Sequence, residues 1–256
     1  MKATVDEQIA WCLARCCRQG DVLVVGVATP LAAAAGQLAR ELLVPGLVLI
    51  EAAAVDVTPH DVATPMVRPE VIAEEAVGVY TQIEILDAIQ RGRVTLQFIS
   101  PAQVDGRGNL NTSRVRAADG TTRRLPGGLA HADIACLIGR LVAYRAAHEQ
   151  RFLPERVDFV TGAAGRVATI VTSAAVLEWN GERYSATSLH DGATRDEVVA
   201  GCGFAVDVRA RVPATEQPPP EAVRLLREEI DPHGMRRLET RAGRAAALQE
   251  LERMAQ

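Results

Sequence analysis

Along the first fifty residues the spacing of apolar side chains switches twice between a helical and an extended period. Residues 7–18 set Ile9, Leu13, Cys16 and Cys17 on one helical face, and Gly20 supplies a stop, so a helix is expected there. Residues 22–27 form an unbroken apolar run rich in valine, which suits a strand covered on both faces. Thr29-Pro30 then opens an Ala-rich helix over 31–43, suited to close packing, and 47–50 reads as a second buried strand that ends on Glu51. Strands alternating with helices in this way predict an α/β fold, an open and mostly parallel sheet flanked by helices.

The alternation continues with a helix over 82–91 stopped by Gly92 and a strand over 94–99. A polar loop rich in Gly and Asn follows over 103–113. The pattern predicts a helix over 134–147, strands over 156–161 and 169–176, and a hairpin over 178–188 turning at Asn180-Gly181. A short helix over 196–201 is capped by Thr194, and a last one over 221–229 closes at Asp231-Pro232 after the break at Pro218, Pro219 and Pro220. No repeat and no interior linker stands out, so the expected organisation is one domain over 1–235 with a charged tail over 236–256, solvated or facing a partner.

Composition narrows the functional classes. The chain has 256 residues, 48% hydrophobic and 23% charged, enough apolar content for a sizeable core and too ordered a mixture for disorder. Its formal net charge of −4 makes a nucleic-acid partner a poor fit. Lys2 is the sole lysine among 28 basic residues, and it lies where chain ends fray, which removes amine or Schiff-base chemistry. Cys12, Cys16, Cys17, Cys136 and Cys202 follow no disulfide or metal-site spacing, so they read as ordinary thiols with no metal site. The N-terminus lacks a secretory signal pattern and the apolar runs are too short to span a bilayer. A soluble, cytoplasmic protein with no membrane partner is expected.

Three segments carry candidate chemistry. Glu51 directly follows a buried strand, at the carboxyl edge where open α/β sheets bind ligands. It reads either as a structural, hydrogen-bonded carboxylate or as a partly desolvated one with a special role. The loop running from Gln103 through Asp105, Gly106, Gly108 and Asn109 to Asn111 reads either as a site or as a tight turn. Gly127 and Gly128, shortly before His131 and the helix expected from Ile134, read either as an oxyanion site built from backbone N–H groups or as a plain loop. His60, His148, His190 and His233 stand singly and read as surface or hydrogen-bonded histidines.

The order of these segments resembles the B (β) chain of the glutaconate CoA-transferase type within the class I CoA-transferases. The resemblance runs nearly end to end: Val25-Gly26 with Pro30-Leu31, Leu49-Ile50-Glu51 with Asp56 and Pro59, and the Gln-x-Asp-x-x-Gly-Asn-x-Asn element at Gln103 to Asn111. It continues through His148-Glu149 with Arg151-Phe152, the segment from Val157 to Thr161, Gly203-Phe204 with Asp207-Val208, and Arg227-Glu228-Glu229-Ile230-Asp231-Pro232. Two places depart from the family pattern. Ala52-Ala53 replaces a small polar residue and a glycine. Pro126-Gly127-Gly128-Leu129-Ala130-His131 stands where the family pattern carries a Gly-Ser-Gly-Gly-Ala-Asn loop, with Leu129 and Ala130 restricting the backbone and His131 in place of the asparagine.

The resemblance implies a CoA-transferase-like (NagB/RpiA-like) fold and Glu51 as the catalytic carboxylate. Glu51 would attack an acyl-CoA thioester, and the returning thiolate would leave CoA on Glu51 as a glutamyl thioester. Gly127, Gly128, His131, Gln103 and Asn109 become the expected oxyanion and substrate-binding positions, His131 also as an acid or base. The family also implies a CoA-transferase α (A-type) chain as partner in an αβ or α2β2 assembly, acyl-CoA and a carboxylic acid as substrates, and no permanently bound cofactor. Hydrolysis of acyl-CoA, ring-opening hydrolysis of a carbon–carbon bond, and a structural subunit whose partner does the catalysis are the alternatives on this fold. The basic segment between Arg114 and Arg124 reads as meeting CoA phosphates, solvent or a partner chain.

Overall fold

The computed structural model describes residues 2–26, 28–51, 53–57, 60–163 and 167–255. The chain forms two compact units, Met1–Ile99 with Gln217–Gln256, and Ser100–Glu216.

The first unit begins with α1 (Val5–Ala14), whose first turn is closed by the Thr4 N–H donating to Glu7 Oε2 at 2.9 Å. β1 (Val22–Val25), α2 (Pro30–Leu42) and β2 (Val48–Glu51) follow. Beyond them lie β3 (Ala54–Val55), α3 (Thr64–Val67), α4 (Pro69–Glu75), β4 (Gly78–Val79), α5 (Gln82–Gln90) and β5 (Leu96–Ile99). In strand order β5-β1-β2-β3-β4, the three four-residue strands are parallel and antiparallel pairing is confined to the short edge strands. The expected open α/β architecture therefore stands, with buried β-branched strands at its centre. Gly36 lets α2 lie close on that sheet, since a Cβ there would come within 3.0 Å of Leu23 and 3.1 Å of Leu49.

In the second unit, β6 (Gln103–Val104) and β7 (Leu110–Asn111) form one hairpin, and β8 (Arg114–Arg116) and β9 (Thr122–Arg124) another. α6 (His131–Leu137) leads into β10 (Arg140–Tyr144), which runs parallel to β11 (Val167–Val171). β12 (Ala175–Trp179) and β13 (Tyr184–Leu189) complete a β13-β12-β11-β10 order, and α7 (Arg195–Gly201) is capped by Thr194 as expected. Several sequence expectations change here. The helix expected over 134–147 stops at Leu137, and Leu141, Val142, Ala143 and Tyr144 are strand residues buried by the sheet. Residues 156–161 are not a strand, because Asp158 N–H donates to the Gln103 side chain instead of a ladder. The strand expected over 169–176 is two antiparallel strands separated by a turn at Thr172.

The chain then returns to the first unit through α8 (Pro220–Leu225), a π-helical turn (Leu226–Ile230), a 3-10 turn (Met235–Glu239) and α9 (Arg244–Met254). The boundary expected between residues 235 and 236 runs through the 3-10 turn, whose Arg236 is only 1% exposed. Its guanidinium meets Asp6 at 2.7 Å, Glu7 at 3.0 Å and Asp231 at 2.7 Å. Met235 and Arg236 thus belong to the core of this unit, and α9 packs beside the 3-10 turn. Among the described residues no helix is long and apolar enough to cross a membrane.

Candidate active site

Glu51 is the last residue of β2 and pairs in register with Val25, so its carboxylate stands at the carboxyl edge of the parallel strands. The residue is 6% exposed. Its Oε2 lies 3.4 Å from Nε2 of His60, whose side chain is equally well covered. His60, expected to be a solitary surface or satisfied histidine, is therefore the neighbour of the candidate nucleophile. No motif spacing announces this pair: nine positions separate the two residues, and the strand reversal at β3 brings them together. The backbone N–H of His60 donates to Oε1 of the buried Gln37 on α2 at 3.3 Å, and the next segment is held by Val62 N–H on the Ile230 carbonyl.

The backbone around Glu51 adopts unusual angles. Ala28, Ala53 and Asp56 have φ values of +55°, +74° and +51°, in the left-handed region that disfavours a Cβ. Ala53 stands where the family pattern carries glycine, and its carbonyl accepts the Tyr80 N–H at 2.8 Å. The reversal after Glu51 thus keeps the geometry of a glycine turn without the glycine. Ala52, the other departure in this turn, and Pro59 lie outside the described residues, as does Val27 at the end of the first expected strand.

In the second unit, Gln103 and Asn109 belong to a closed hydrogen-bond network. Gln103 Nε2 donates to Asp158 at 3.0 Å, while its Oε1 accepts from Asn111 at 2.7 Å and from Asp158 N–H at 2.9 Å. Asn109 donates through both its backbone and its side chain to Asp105, at 3.1 and 3.0 Å. Gly106 allows this hairpin to lie against Phe204, which a Cβ would meet at 2.8 Å. The turn reading of the loop thus accounts for these bonds: the side chains tie β6 and β7 to the segment around Asp158.

Gly127, Gly128 and His131 are brought together in one loop. Gly127, at φ +112°, donates its N–H to the Thr112 carbonyl, and the Gly128 carbonyl accepts the His131 N–H at 2.7 Å. A Cβ on Gly128 would stand 2.8 Å from Thr161. Leu129 has φ +43° and is 90% exposed, a bulky side chain on the backbone shape that the family's glycine would adopt without cost. His131 Nδ1 sits 3.1 Å from Thr112 Oγ1, and burial pulls its pKa below the ordinary histidine value, so the imidazole is neutral at neutral pH. α6 has seven residues and contributes little dipole to this loop.

The remaining candidates are placed as follows. His148 and His190 are bonded to Thr172 and Thr215 hydroxyls at 2.9 and 2.8 Å, and His233 meets Glu250 at 2.8 Å, so these three are satisfied histidines. Arg114, Arg116, Arg123 and Arg124 lie exposed on the β8–β9 hairpin, Arg114 stacking over Phe159 at 4.2 Å. Cys12, Cys17 and Cys202 are buried, and burial pushes the Cys202 thiol up to about 12. Among the described residues no three His, Cys, Asp or Glu side chains are grouped to hold a metal ion.

No family model matches the chain. It is 28% identical to the B subunit of 3-oxoadipate CoA-transferase of Pseudomonas knackmussii, over 94% of this chain and 95% of that protein. It is 25% identical to the B subunit of glutaconate CoA-transferase of Acidaminococcus fermentans, over 90% and 93% of the two chains. A third relative, at 26% identity over 63% of this chain and 72% of its own length, is the IpdB subunit of the cholesterol ring-cleaving hydrolase of Rhodococcus jostii. Among solved structures, the decarboxylase AibA/AibB superposes with a TM-score of 0.78 at 26% identity, covering 92% of this chain and 98% of that one. Glutaconate coenzyme A-transferase from Acidaminococcus fermentans gives a TM-score of 0.77 at 21% identity over 91% and 97%, a likeness of fold.

Proposed function

Because this chain belongs to the CoA-transferase family as a chain of the β type, we propose that it moves CoA between an acyl-CoA and a carboxylic acid through a glutamyl-CoA thioester on Glu51, paired with an α chain. The observation that carries this reading is the Glu51 carboxylate, covered at the carboxyl edge of the parallel strands. A carboxylate suits the exchange, since each step replaces one activated acyl group by another. Glu51 adds to the acyl-CoA carbonyl, the carbon–sulfur bond breaks, and the electron pair leaves with the CoA thiolate. The thiolate then adds to the glutamyl carbon of the mixed anhydride, and the original acid departs as its carboxylate. An incoming carboxylate repeats the sequence in reverse and takes up CoA. Partial burial serves these steps by excluding the water that would hydrolyse both activated forms.

The partner follows from the relatives, each named as the B chain of its enzyme. A second reading, acyl-CoA or carbon–carbon bond hydrolysis, is favoured by the ring-cleaving hydrolase chain found with these relatives, and the decarboxylase neighbour also has this fold. A structural role for the chain, with catalysis in the partner, remains the third. One experiment separates them. The assembled complex is incubated with acetyl-, succinyl- or glutaryl-CoA, quenched and reduced with borohydride, and the peptide holding Glu51 is weighed. An adduct on Glu51 that is lost in Glu51→Gln supports transfer. Release of free CoA with no acceptor and no adduct supports hydrolysis, and full activity in Glu51→Ala assigns catalysis to the partner.

A further inference from the structure

Within the first unit, two kinds of buried charge contact coexist. Around Arg236 the contacts are 2.7–3.0 Å long and several oxygens are engaged at once, as a stabilising network requires. Between His60 and Glu51 the contact is longer, 3.4 Å from Nε2 to Oε2, a charge contact to one oxygen that falls short of hydrogen-bond geometry. That is a poor way to stabilise a fold and a good way to distinguish two oxygens of one carboxylate. We propose that His60 is a second catalytic residue, whose Nε2–H holds the charge that develops on Glu51 Oε2 while CoA is passed to Glu51. The inference rests on Glu51 being the nucleophile.

The chemistry assigns the two oxygens separate tasks. With Oε2 turned to His60, Oε1 forms the bond to the acyl carbon, and the thioester electron pair leaves with CoA. When the thiolate returns and bonds to the glutamyl carbon, the carbonyl π pair moves onto Oε2. That oxygen becomes the oxyanion, beside an imidazole in a covered site where a single donor has a large effect. Collapse restores the carbonyl, breaks the bond to Oε1 and releases the acid as its carboxylate. No proton changes hands at any step, so His60 acts as a fixed donor rather than a base. Contacts of this kind commonly shorten once substrate is bound. Two bonds hold the backbone that carries this ring: the His60 N–H on Gln37, and the Val62 N–H on the Ile230 carbonyl. Gln37 belongs to the helix that Gly36 packs on the sheet.

The test uses the complex assembled with its partner chain, His60→Ala and His60→Gln variants, and acetyl-, succinyl- and glutaryl-CoA as probes. Removing an oxyanion donor lowers kcat by about 10²–10³-fold. With the contact at 3.4 Å, His60→Ala is expected at the lower end, about 10²-fold, with KM for acyl-CoA nearly unchanged and slower appearance of the Glu51 adduct. Gln retains an N–H donor, and His60→Gln should recover about tenfold of that loss. The inference is overturned if His60→Ala builds the adduct at the wild-type rate, if only KM changes, or if Gln performs no better than Ala, which is the behaviour of a lost general base. Absence of the adduct in the unmodified complex with all three probes overturns the Glu51 assignment itself, a different result from a normal adduct that ignores His60.

Discussion

Glu7 and Arg227 are 220 residues apart in the chain, and their side chains meet at 2.6 Å. Glu7 Oε1 also takes Arg236 at 3.0 Å, while Oε2 takes the Thr4 N–H, so one carboxylate closes α1 and joins it to the π-helical and 3-10 turns that precede α9. Burial alone would raise the Glu7 pKa. The Arg227 and Thr4 hydrogen bonds and the Arg236 charge overcome that and bring it to about 2, from an ordinary 4.5. Glu7→Gln takes from Arg227 and Arg236 the carboxylate they share, while Asp6 and Asp231 still face Arg236, and should cost about 1–3 kcal/mol in urea unfolding. Because the folded pKa is the lower one, the stabilisation is complete above pH 4.5 and disappears as pH falls toward 2. The gap between wild type and Glu7→Gln should narrow over that window. A gap independent of pH would contradict the assignment.

Ala53 and Leu129 hold positive φ without being glycine. An L-residue in that region carries about 1–2 kcal/mol of strain, part of which a glycine returns as chain entropy in the unfolded state. Ala53→Gly and Leu129→Gly should therefore each stabilise the chain by up to about 1 kcal/mol, seen calorimetrically as a Tm increase of about 2–4 °C. Leu129→Gly removes an exposed side chain as well, so no packing loss opposes the gain. A fall in Tm for either variant would show that its backbone strain is offset by contacts of the side chain.

Burial is the main force holding the His148 and His190 pKa values below the ordinary 6.5, against the opposing bonds to the Val198 and Thr172 carbonyls. Charge on His148 also depresses His190. The unfolded chain accepts protons on these rings first, so stability present above pH 6.5 declines as pH falls below it. Each histidine can contribute a slope of up to about 1.4 kcal/mol per pH unit. Urea midpoints measured between about pH 8 and about pH 5.5 should fall, and His190→Gln should flatten the profile. An unchanged slope in that variant would remove His190 from the explanation.

Much of the first unit was legible because its strands are short, buried and β-branched, so the apolar run and the strand coincide. Glu51 was visible for the same reason, as a charge that ends such a run. The second unit defeated the same logic at Leu141 to Tyr144. An apolar segment following a helical turn has no period of its own, and only burial by the sheet makes it β10. Asp158 shows another limit. Its neighbours alternate like a strand, yet its side chain and N–H are taken by Gln103, and Arg116 N–H donates to the same carboxylate. His60 was hidden because its value lies in a distance to Glu51, set by a two-residue strand and a pair of left-handed turns that no propensity signals.

The first unit is assembled from both ends of the chain, with residues 100–216 intervening. On a ribosome, α1 emerges with Asp6 and Glu7 long before Arg227 and Arg236 have been synthesised, so two carboxylates destined for the core must wait in water for their cations. The parallel strands can form early, but their cover is completed only once residues 217–256 have been made. A nonsense codon or proteolytic cut after residue 217 would therefore leave Asp6 and Glu7 without the arginines that meet them in the core. Such a chain is a natural client for chaperones and a prompt substrate for degradation, although most of what it lacks is a few short helical turns.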